Sequence, residues 1–276
     1  MTLLLRIAVF AAALFAPQAL ADVQPFHPYL NSEKKHLLLL GYTWQKADVE
    51  VSAQRDPFSE VSLDLDDLGT DDTYNSWLLE YRYRINENWG LVAGAFTFEV
   101  DGNRTAQRDF NFDGKEFEAG VALDTSLDVD TYIVDVMYTA YRSDRSEVLV
   151  GGGLHMFDFN AEVTGRAFVD ELEGSLTNAS DDILAPLPNL RAQGFYAFTP
   201  RLAGAATLGW LSASVGDFDG DFLFLHARLF YRFQGGFGVS AGYQITDIDL
   251  EQDKSNGKNE YNIAFDGPTV QLSYAF

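Results

Sequence analysis

The sequence predicts an all-β fold: a closed antiparallel transmembrane β-barrel of about ten strands, with eight or twelve strands as alternatives. Three observations predict it. The composition favours strands, with 14% aromatic residues and 23 glycines. Polar and apolar residues alternate over segments of about ten residues, as in a wall with lipid on one side. The connections between these segments are mostly short at one end and long at the other, as in transmembrane barrels.

Residues 222–233 show the alternation most clearly. Leu225, Leu229 and Tyr231 share one face, whereas His226 and Arg228 share the other. A strand between two apolar layers would not carry charges at alternate positions, so we expect the charged face to line the lumen. Ten segments qualify as strands: 36–53, 74–84, 89–101, 130–141, 147–162, 184–198, 202–215, 222–233, 237–246 and 260–276.

Residues 147–162 form the ambiguous segment. Val150 and Leu154 compete with Leu149 and Phe157 for the outer face, so the alternation leaves the register open. The glycines at 151–153 indicate either a bulge or a place where a bulky neighbouring side chain lies across the wall.

The connections differ in length and charge. Short ones lie at 86–88, 143–146, 199–201 and 234–236, and longer, mostly acidic ones at 54–73, 102–129, 163–183, 216–221 and 251–259. Transmembrane barrels have short turns on the periplasmic side and long external loops, so we expect the acidic segments to face outward. Asp113-Gly114, between Phe112 and Lys115, predicts a hairpin within the second long connection.

The first 21 residues predict a cleavable export signal. The apolar stretch from Ile7 to Phe15 is too short to span a bilayer as a helix, and Ala19-Leu20-Ala21 is typical of a cleavage site. We therefore expect residues 1–21 to be removed and residues 22–276 to form a single barrel domain. No later segment approaches the about 20 continuous apolar residues of a membrane helix.

The composition also excludes some classes of function. The chain has 19 basic and 41 acidic residues, a formal charge of −22, and this excess of acid argues against nucleic-acid binding. Because cysteine is absent, disulfides, thiolate metal sites and cysteine nucleophiles are excluded.

Charged residues on the inward faces predict a network that fills the lumen. In a narrow barrel such charges must pair, because the interior is close-packed. The candidates are Glu80, Arg82, Arg84, Glu99, Asp135, Arg191, His226, Arg228 and Arg232.

Catalysis would require one of the wall histidines. His155 or His226 could serve as the base of a hydrolase that acts on lipid or peptide. Outer-membrane proteases of ten strands instead place paired acids opposite an Asp–His pair at the rim. Asp247 and Asp249 supply acids at a strand end, but no histidine lies beside them in sequence. We therefore assign no catalytic residue and leave enzymatic activity open.

No metal or cofactor is predicted in the barrel itself. Asp217, Asp219 and Asp221 supply oxygen ligands at alternating positions, and calcium could use them to bridge a loop to lipopolysaccharide phosphates. The spacing lacks the terminal bidentate Glu of an EF-hand, so ordinary turn chemistry is the alternative.

The C-terminal residues carry a family resemblance. Val270, Leu272, Tyr274 and Phe276 share one face, and the chain ends on an aromatic residue. This pattern resembles the signal by which the barrel-assembly machinery recognises bacterial outer-membrane proteins. The segments Leu63–Gly69, Glu80–Arg84, Gly153–Met156 and Ala185–Pro188 are similar to those of a poorly characterised family of proteobacterial outer-membrane barrels.

The resemblance implies a multi-pass barrel in the outer membrane of a Gram-negative bacterium. The implied partners are outer-membrane lipid and lipopolysaccharide, the barrel-assembly machinery, and periplasmic chaperones during transit. It implies no activity, so three functions stay open: a structural or surface protein that includes the case of a narrow pore, an outer-membrane hydrolase that uses a wall histidine, and a soluble periplasmic lipid carrier.

Overall fold

The computed structural model describes residues 34–55, 61–64, 74–105, 110–112, 115–117, 120–166, 168–169, 172–173, 177–254 and 257–276. The predicted signal at 1–21 lies outside these residues. Ten long strands form the wall: β1 (His36–Arg55), β2 (Tyr74–Arg84), β3 (Trp89–Thr105), β4 (Ala122–Arg142), β5 (Ser146–Arg166), β6 (Thr177–Ala197), β7 (Leu202–Val215), β8 (Phe218–Arg232), β9 (Phe237–Lys254) and β10 (Gly257–Ala275).

The strands close into one antiparallel barrel. Each wall strand pairs with the next in sequence, and β10 pairs with β1 from Leu37↔Ala275 to Arg55↔Gly257. At the end of this seam, His36 and Phe276 exchange two backbone hydrogen bonds of 3.0 Å. The predicted barrel of ten strands is confirmed. Within the described ranges, no helix is long and apolar enough to cross a membrane.

The four predicted short turns lie together at one end of the barrel. In three of them a side-chain oxygen accepts a backbone N–H: Asn86 Oδ1 from Trp89 at 3.0 Å, Ser143 Oγ from Ser146 at 3.1 Å, and Thr199 Oγ1 from Leu202 at 3.0 Å. In the fourth, Gly235 and Gly236 adopt φ of 85° and 98°, which only glycine adopts readily. Turn-forming residues thus fix this end, which the sequence predicts to be the periplasmic one.

At the opposite end, the strands run further than the sequence predicts. β4 begins at Ala122 rather than at 130, β6 at Thr177 rather than at 184, and β9 continues to Lys254. Outside the membrane both faces of a strand meet water or other polar groups, so backbone pairing persists without apolar alternation. The predicted loop 216–221 reduces to a turn at 216–217, where Gly216 adopts φ of 64°.

Three further short strand pairings lie at this end of the barrel. Val61–Asp64 extends the sheet along β1. Phe110–Phe112 pairs with Lys115–Phe117, which confirms the hairpin predicted there; its turn at 113–114 lies outside the described residues. Phe168–Val169 pairs with Leu172–Glu173.

The lipid-facing surface of the wall carries an apolar band between two aromatic belts. The periplasmic belt includes Trp89, Tyr138, Tyr231, Phe237 and Tyr274, and the outer belt includes Trp44, Trp77, Tyr132, Trp210 and Tyr243, all exposed. Between the belts, exposed residues are aliphatic, with Leu272 at 61% exposure. This is the surface that a bilayer covers.

The structure resolves the register of residues 147–162. Val148, Val150 and Leu154 are exposed on the outer face, whereas Leu149, His155 and Phe157 are buried inside. The β-bulge lies in the neighbouring strand, between Thr139 and Tyr141, rather than at the glycines.

Candidate functional site in the barrel lumen

Inward-facing side chains follow the same order along most of the wall strands. Starting from the short-turn end of β8, buried Phe230 comes first, then Arg228 and His226, then buried Phe222. On β4 the order is Met137, Asp135 and Val129. The lumen therefore contains a charged layer between two apolar layers, and each layer is built from side chains of several strands.

The periplasmic apolar layer is a packed cluster. It consists of Leu37, Leu39, Val92, Met137, Leu149, Phe195, Ala197, Ala203, Ala205, Phe230 and Ala275. At the barrel mouth, Arg84 and Arg142 both bind Glu147, with Nη2–Oε1 distances of 2.8 and 2.5 Å. Glu147 is fully buried, so this end of the lumen is closed by apolar packing and an ion cluster.

The charged layer is centred on two acids and two arginines. Arg82 Nε donates to Glu80 Oε1 at 2.6 Å, and Arg191 Nη2 donates to Glu80 Oε2 at 3.1 Å. Arg191 Nη1 also donates to Asp135 Oδ2 at 2.9 Å, and Asn189 Nδ2 donates to Asp135 Oδ1 at 2.8 Å. Two carboxylates thus offset the charges of two guanidinium groups, which is the condition for burying charge in a closed interior.

The glycines of β5 make this pairing possible. Gly153 pairs with Asp135 of β4 on one side and with Asn189 of β6 on the other, and Gly151 pairs with Arg191. A Cβ on Gly153 would lie 2.7 Å from Asp135 Oδ1 and would overlap the Val134 carbonyl. Without side chains at these positions, groups on β4 and β6 can meet across the strand between them.

The other side of the charged layer is held by neutral partners. Arg228 Nη1 donates to Gln271 Oε1 at 2.8 Å, and Ser240 Oγ donates to the same oxygen at 3.1 Å. His226 Nε2 lies 2.9 Å from Thr269 Oγ1. These contacts tie β8 to β9 and β10.

The outer apolar layer is mostly aromatic. Phe98 stacks on Phe265 with ring centroids 5.6 Å apart, and Phe157 packs against Phe222 at 5.7 Å. Other buried members are Tyr74, Val129, Leu211, Ile248, Leu250, Tyr261 and Ile263. This layer covers the charged layer on the external side.

Seven of the nine residues predicted to line the lumen are buried there: Glu80, Arg82, Arg84, Asp135, Arg191, His226 and Arg228. Arg232 is half-buried at the periplasmic end of β8. Glu99 requires a correction, because it is exposed and its neighbour Phe98 takes the inward position. Beyond the outer belt the outward face meets polar surroundings, so an acid there does not mark the lumen.

Sequence reasoning missed several neutral or end-of-strand members. Asn189, Gln193 and Gln271 hydrogen-bond the predicted charges, as in the 2.5 Å contact from Arg82 Nη1 to Gln193 Oε1. Asn189 and Gln193 share the inward face of Arg191, a signal that was available. Glu147 lies at the start of the strand whose register the sequence left open.

The wall histidines and the rim acids lie on opposite sides of the wall. His155 and His226 are buried in the lumen, with His155 packed edge-on against Phe222 at 5.0 Å. Asp247 and Asp249 are exposed on the outer face of β9. The wall therefore separates the acids from the histidines, and the arrangement of paired acids opposite an Asp–His pair is not formed by these residues.

The external rim is strongly acidic. Asp221 pairs directly with Asp249 across β8 and β9, and Asp219 pairs with Glu251. Partial loss of contact with water, followed by the charges of Asp247 and Asp221, raises the pKa of Asp249 above its usual value. Lys258 binds Glu251 at 3.3 Å and also binds Glu260. The hydrogen bond from Lys258 is the main cause of the lowered pKa of Glu260.

The predicted calcium ligands lie at this rim. Asp217 sits in the turn between β7 and β8, and Asp219 accepts a hydrogen bond from the Ser214 hydroxyl. Among the described residues, no group of three or more His, Cys, Asp or Glu side chains is arranged to hold a metal ion. Calcium binding by Asp217, Asp219 and Asp221 stays a prediction.

The residues of the predicted assembly signal share the outer face of the seam. Val270, Leu272, Tyr274 and Phe276 are all exposed, and Tyr274 stacks on Phe276 with centroids 5.5 Å apart. Phe276 also stacks on His36 at 4.9 Å.

The family model of the outer membrane protein β-barrel domain matches residues 7–276. The chain belongs to this family. It is therefore an outer-membrane β-barrel protein of a Gram-negative bacterium, as the sequence predicts. A soluble periplasmic carrier, the third function considered, is incompatible with this location.

The solved structures that match this chain include outer-membrane barrels. The outer membrane protease OmpT from Escherichia coli is 10% identical, with 87% of this chain and 97% of that chain covered and a TM-score of 0.52. Ail from Yersinia pestis is 10% identical over 85% of this chain and 99% of that chain, with a TM-score of 0.35. The Pseudomonas putida toluene transporter TodX is 11% identical over 92% of each chain, with a TM-score of 0.37. No curated protein sequence matches the chain.

Proposed function

We propose that this outer-membrane barrel is a structural or surface protein with a closed lumen, and that it acts through its external face rather than as a pore. The observation that carries the proposal is the stacking of three layers in the lumen. An ion that crossed the barrel would have to pass the periplasmic apolar layer, the paired charges and the aromatic layer. Apolar constrictions oppose hydrated ions, and close-packed interiors leave no continuous water path.

The charged layer supports a structural role for the same reason. Glu80, Asp135 and Arg191 are buried and bound to one another, so their charges are not available to attract a solute. Buried groups that satisfy one another fix the relative positions of the strands that carry them. The layer thus joins β2, β4 and β6 across the interior.

The external face is where a partner would meet this protein. Its strands project beyond the outer aromatic belt and carry Asp219, Asp221, Asp247, Asp249 and Glu251 on exposed or partly exposed positions. In the outer leaflet these acids lie near lipopolysaccharide, whose phosphates repel them unless cations screen both. We propose lipopolysaccharide, with divalent cations between the two sets of anions, as the partner of this face.

The hydrolase alternative gains no support from the geometry. Both candidate bases, His155 and His226, are buried in the lumen, and His155 packs edge-on against Phe222 of the outer aromatic layer. A base must reach the proton that it abstracts, directly or through one water.

The test is single-channel conductance of the detergent-purified, folded protein in a planar bilayer, with and without calcium. We expect no discrete openings in the wild-type protein. Phe222→Ala combined with Phe230→Ala removes one ring from each apolar layer and serves to show that the assay detects leak when the lumen is loosened. Regular openings of the wild-type barrel would overturn the proposal of a closed lumen.

A further inference from the structure

A small chamber lies inside the barrel at the boundary between the charged layer and the outer apolar layer. Its volume is about 40 Å³, and its polar lining includes Glu80, His155, Asn189, Arg191 and Thr246. The rings of Phe222 and Phe265 form part of its apolar side. We propose that this chamber is a binding site for a cluster of about three ordered water molecules.

His155 is the main reason for the proposal. Its residue is only 3% exposed, and neither Nδ1 nor Nε2 has a hydrogen-bond partner among the described residues. A neutral imidazole needs one acceptor and one donor, and leaving such a group buried and unpaired costs about 1–3 kcal/mol. The ring lines the chamber, so molecules there can supply both partners.

Further unpaired atoms surround the same space. Asn189 Oδ1, Arg191 Nε and Thr246 Oγ1 are buried without a hydrogen-bond partner in the described part of the chain, and all three residues line the chamber. With the two ring nitrogens of His155, they make five atoms to satisfy. Since a buried water makes about three hydrogen bonds, about three waters suffice for these five atoms and for one another.

The size of the chamber and the charges of its lining residues both favour water over other ligands. A buried water needs at least about 10–15 Å³ of such space, so the chamber holds about three waters and no drug-sized ligand. The charged lining groups are Glu80 and Arg191, which bind each other at 3.1 Å. Their charges are already offset, so a bound anion or cation would lack a counter-charge.

The test is a crystal structure of the refolded barrel at a resolution that defines ordered water. We expect density peaks within about 2.7–3.2 Å of the His155 ring nitrogens, Asn189 Oδ1 and Thr246 Oγ1. His155→Phe should remove the peaks at the ring and retain those at Asn189. Continuous density of an acyl chain or detergent in the chamber, or an empty chamber, would overturn the proposal.

A solution measurement covers the case in which His155→Phe does not fold. Oxygen-17 magnetic relaxation dispersion in detergent counts long-lived waters, and Thr246→Val should lower the count with minimal change of shape. Thr131→Val is the matched control, because Thr131 is equally buried and unpaired at Oγ1 but does not line the chamber. Equal counts in wild-type, Thr246→Val and Thr131→Val proteins would contradict the water site.

Discussion

Arg191 Nη1 lies 2.9 Å from Asp135 Oδ2, although the two residues are 56 positions apart and lie on strands that do not touch each other in the sheet. The strand between them, β5, carries glycine at the positions that pair with both residues. A gap in one strand's side chains thus allows an ion pair between its two neighbours.

Removing the guanidinium of Arg191 should be strongly destabilising. Arg191→Met leaves Glu80 without one partner and Asp135 without its counter-charge, and breaking a buried pair costs about 3–5 kcal/mol. The measurement is urea-induced unfolding in lipid vesicles. Arg201→Met, in an exposed turn, is the control and should change the free energy of unfolding little. If Arg191→Met unfolds at the same urea concentration as the wild type, the pair does not stabilise the barrel.

Adding a methyl group to Gly153 should disrupt the same layer. A Cβ there would overlap the Val134 carbonyl and crowd Asp135, so Gly153→Ala should cost at least about 1–3 kcal/mol or prevent folding. Gly194→Ala, on β6, is the matched control because, apart from its own chain neighbours, no atom lies within 4 Å of its added Cβ. Heat-modifiable migration on SDS gels reports the folded fraction of each variant. Equal folded fractions for the two variants would mean that close approach at Gly153 is not required.

A charge in the middle of the apolar band should be costly. Val136 is exposed between Tyr132 and Tyr138 of β4, so Val136→Arg should lower the free energy of unfolding by about 2–4 kcal/mol in a bilayer. Ser212→Arg, beyond the outer belt and beside Asp221, should have little effect. Unfolding titrations in vesicles compare the two. A large cost for Ser212→Arg would place the membrane boundary further outward than the outer aromatic belt.

Substituting Phe276 should slow assembly more than substituting another belt aromatic residue. We propose that the barrel-assembly machinery reads Val270, Leu272, Tyr274 and Phe276 from the last strand. Phe276→Ala should therefore lower the rate of insertion into vesicles that contain the machinery. Phe237→Ala removes a similarly exposed ring that also packs on Tyr274, at 4.6 Å, and should retain that rate. A rate lost equally in both variants would point to belt packing instead of recognition.

Acidification should stabilise the external rim at Asp249. Because the pKa of Asp249 is raised in the folded protein, protonation favours the folded state, and this contribution is lost as the pH rises through the raised pKa. Asp249→Asn should therefore raise the unfolding midpoint at neutral pH and reduce the gain that the wild type shows on acidification. Unfolding is measured at about pH 7 and about pH 4. Asp144→Asn, in a periplasmic turn, is the control; an identical response of both variants would contradict repulsion from Asp221 and Asp247.

The fold was largely predictable because lipid imposes a simple rule on one face. Lipid-facing residues such as Leu229, Tyr231 and Val134 must be apolar. The residues that alternate with them along each strand face the lumen and can be charged. The same rule failed beyond the membrane, where β4 and β6 continue without apolar alternation. Glu99 was misplaced for that reason.

The lumen was predictable in composition but not in arrangement. Sequence alternation indicated that Glu80, Asp135 and Arg191 face inward, yet it could not show which pairs form, because pairing depends on the stagger between strands. Gly153 illustrates the limit. Its role is to leave room for the side chains of β4 and β6 that lie beside it. No single segment of the sequence shows which residues these are.

The seam between β1 and β10 has a consequence for how the barrel forms. Lys34 Nζ donates to the Ala275 carbonyl at 2.8 Å across 241 positions, whereas every other junction in the wall joins consecutive strands. Bringing distant segments together costs more loop-closure entropy, and non-local contacts slow folding. Neighbouring strands can pair one hairpin at a time along the chain. The barrel closes only when the free edges of β1 and β10 pair with each other. We expect that docking step to be the slowest in the folding kinetics of this protein.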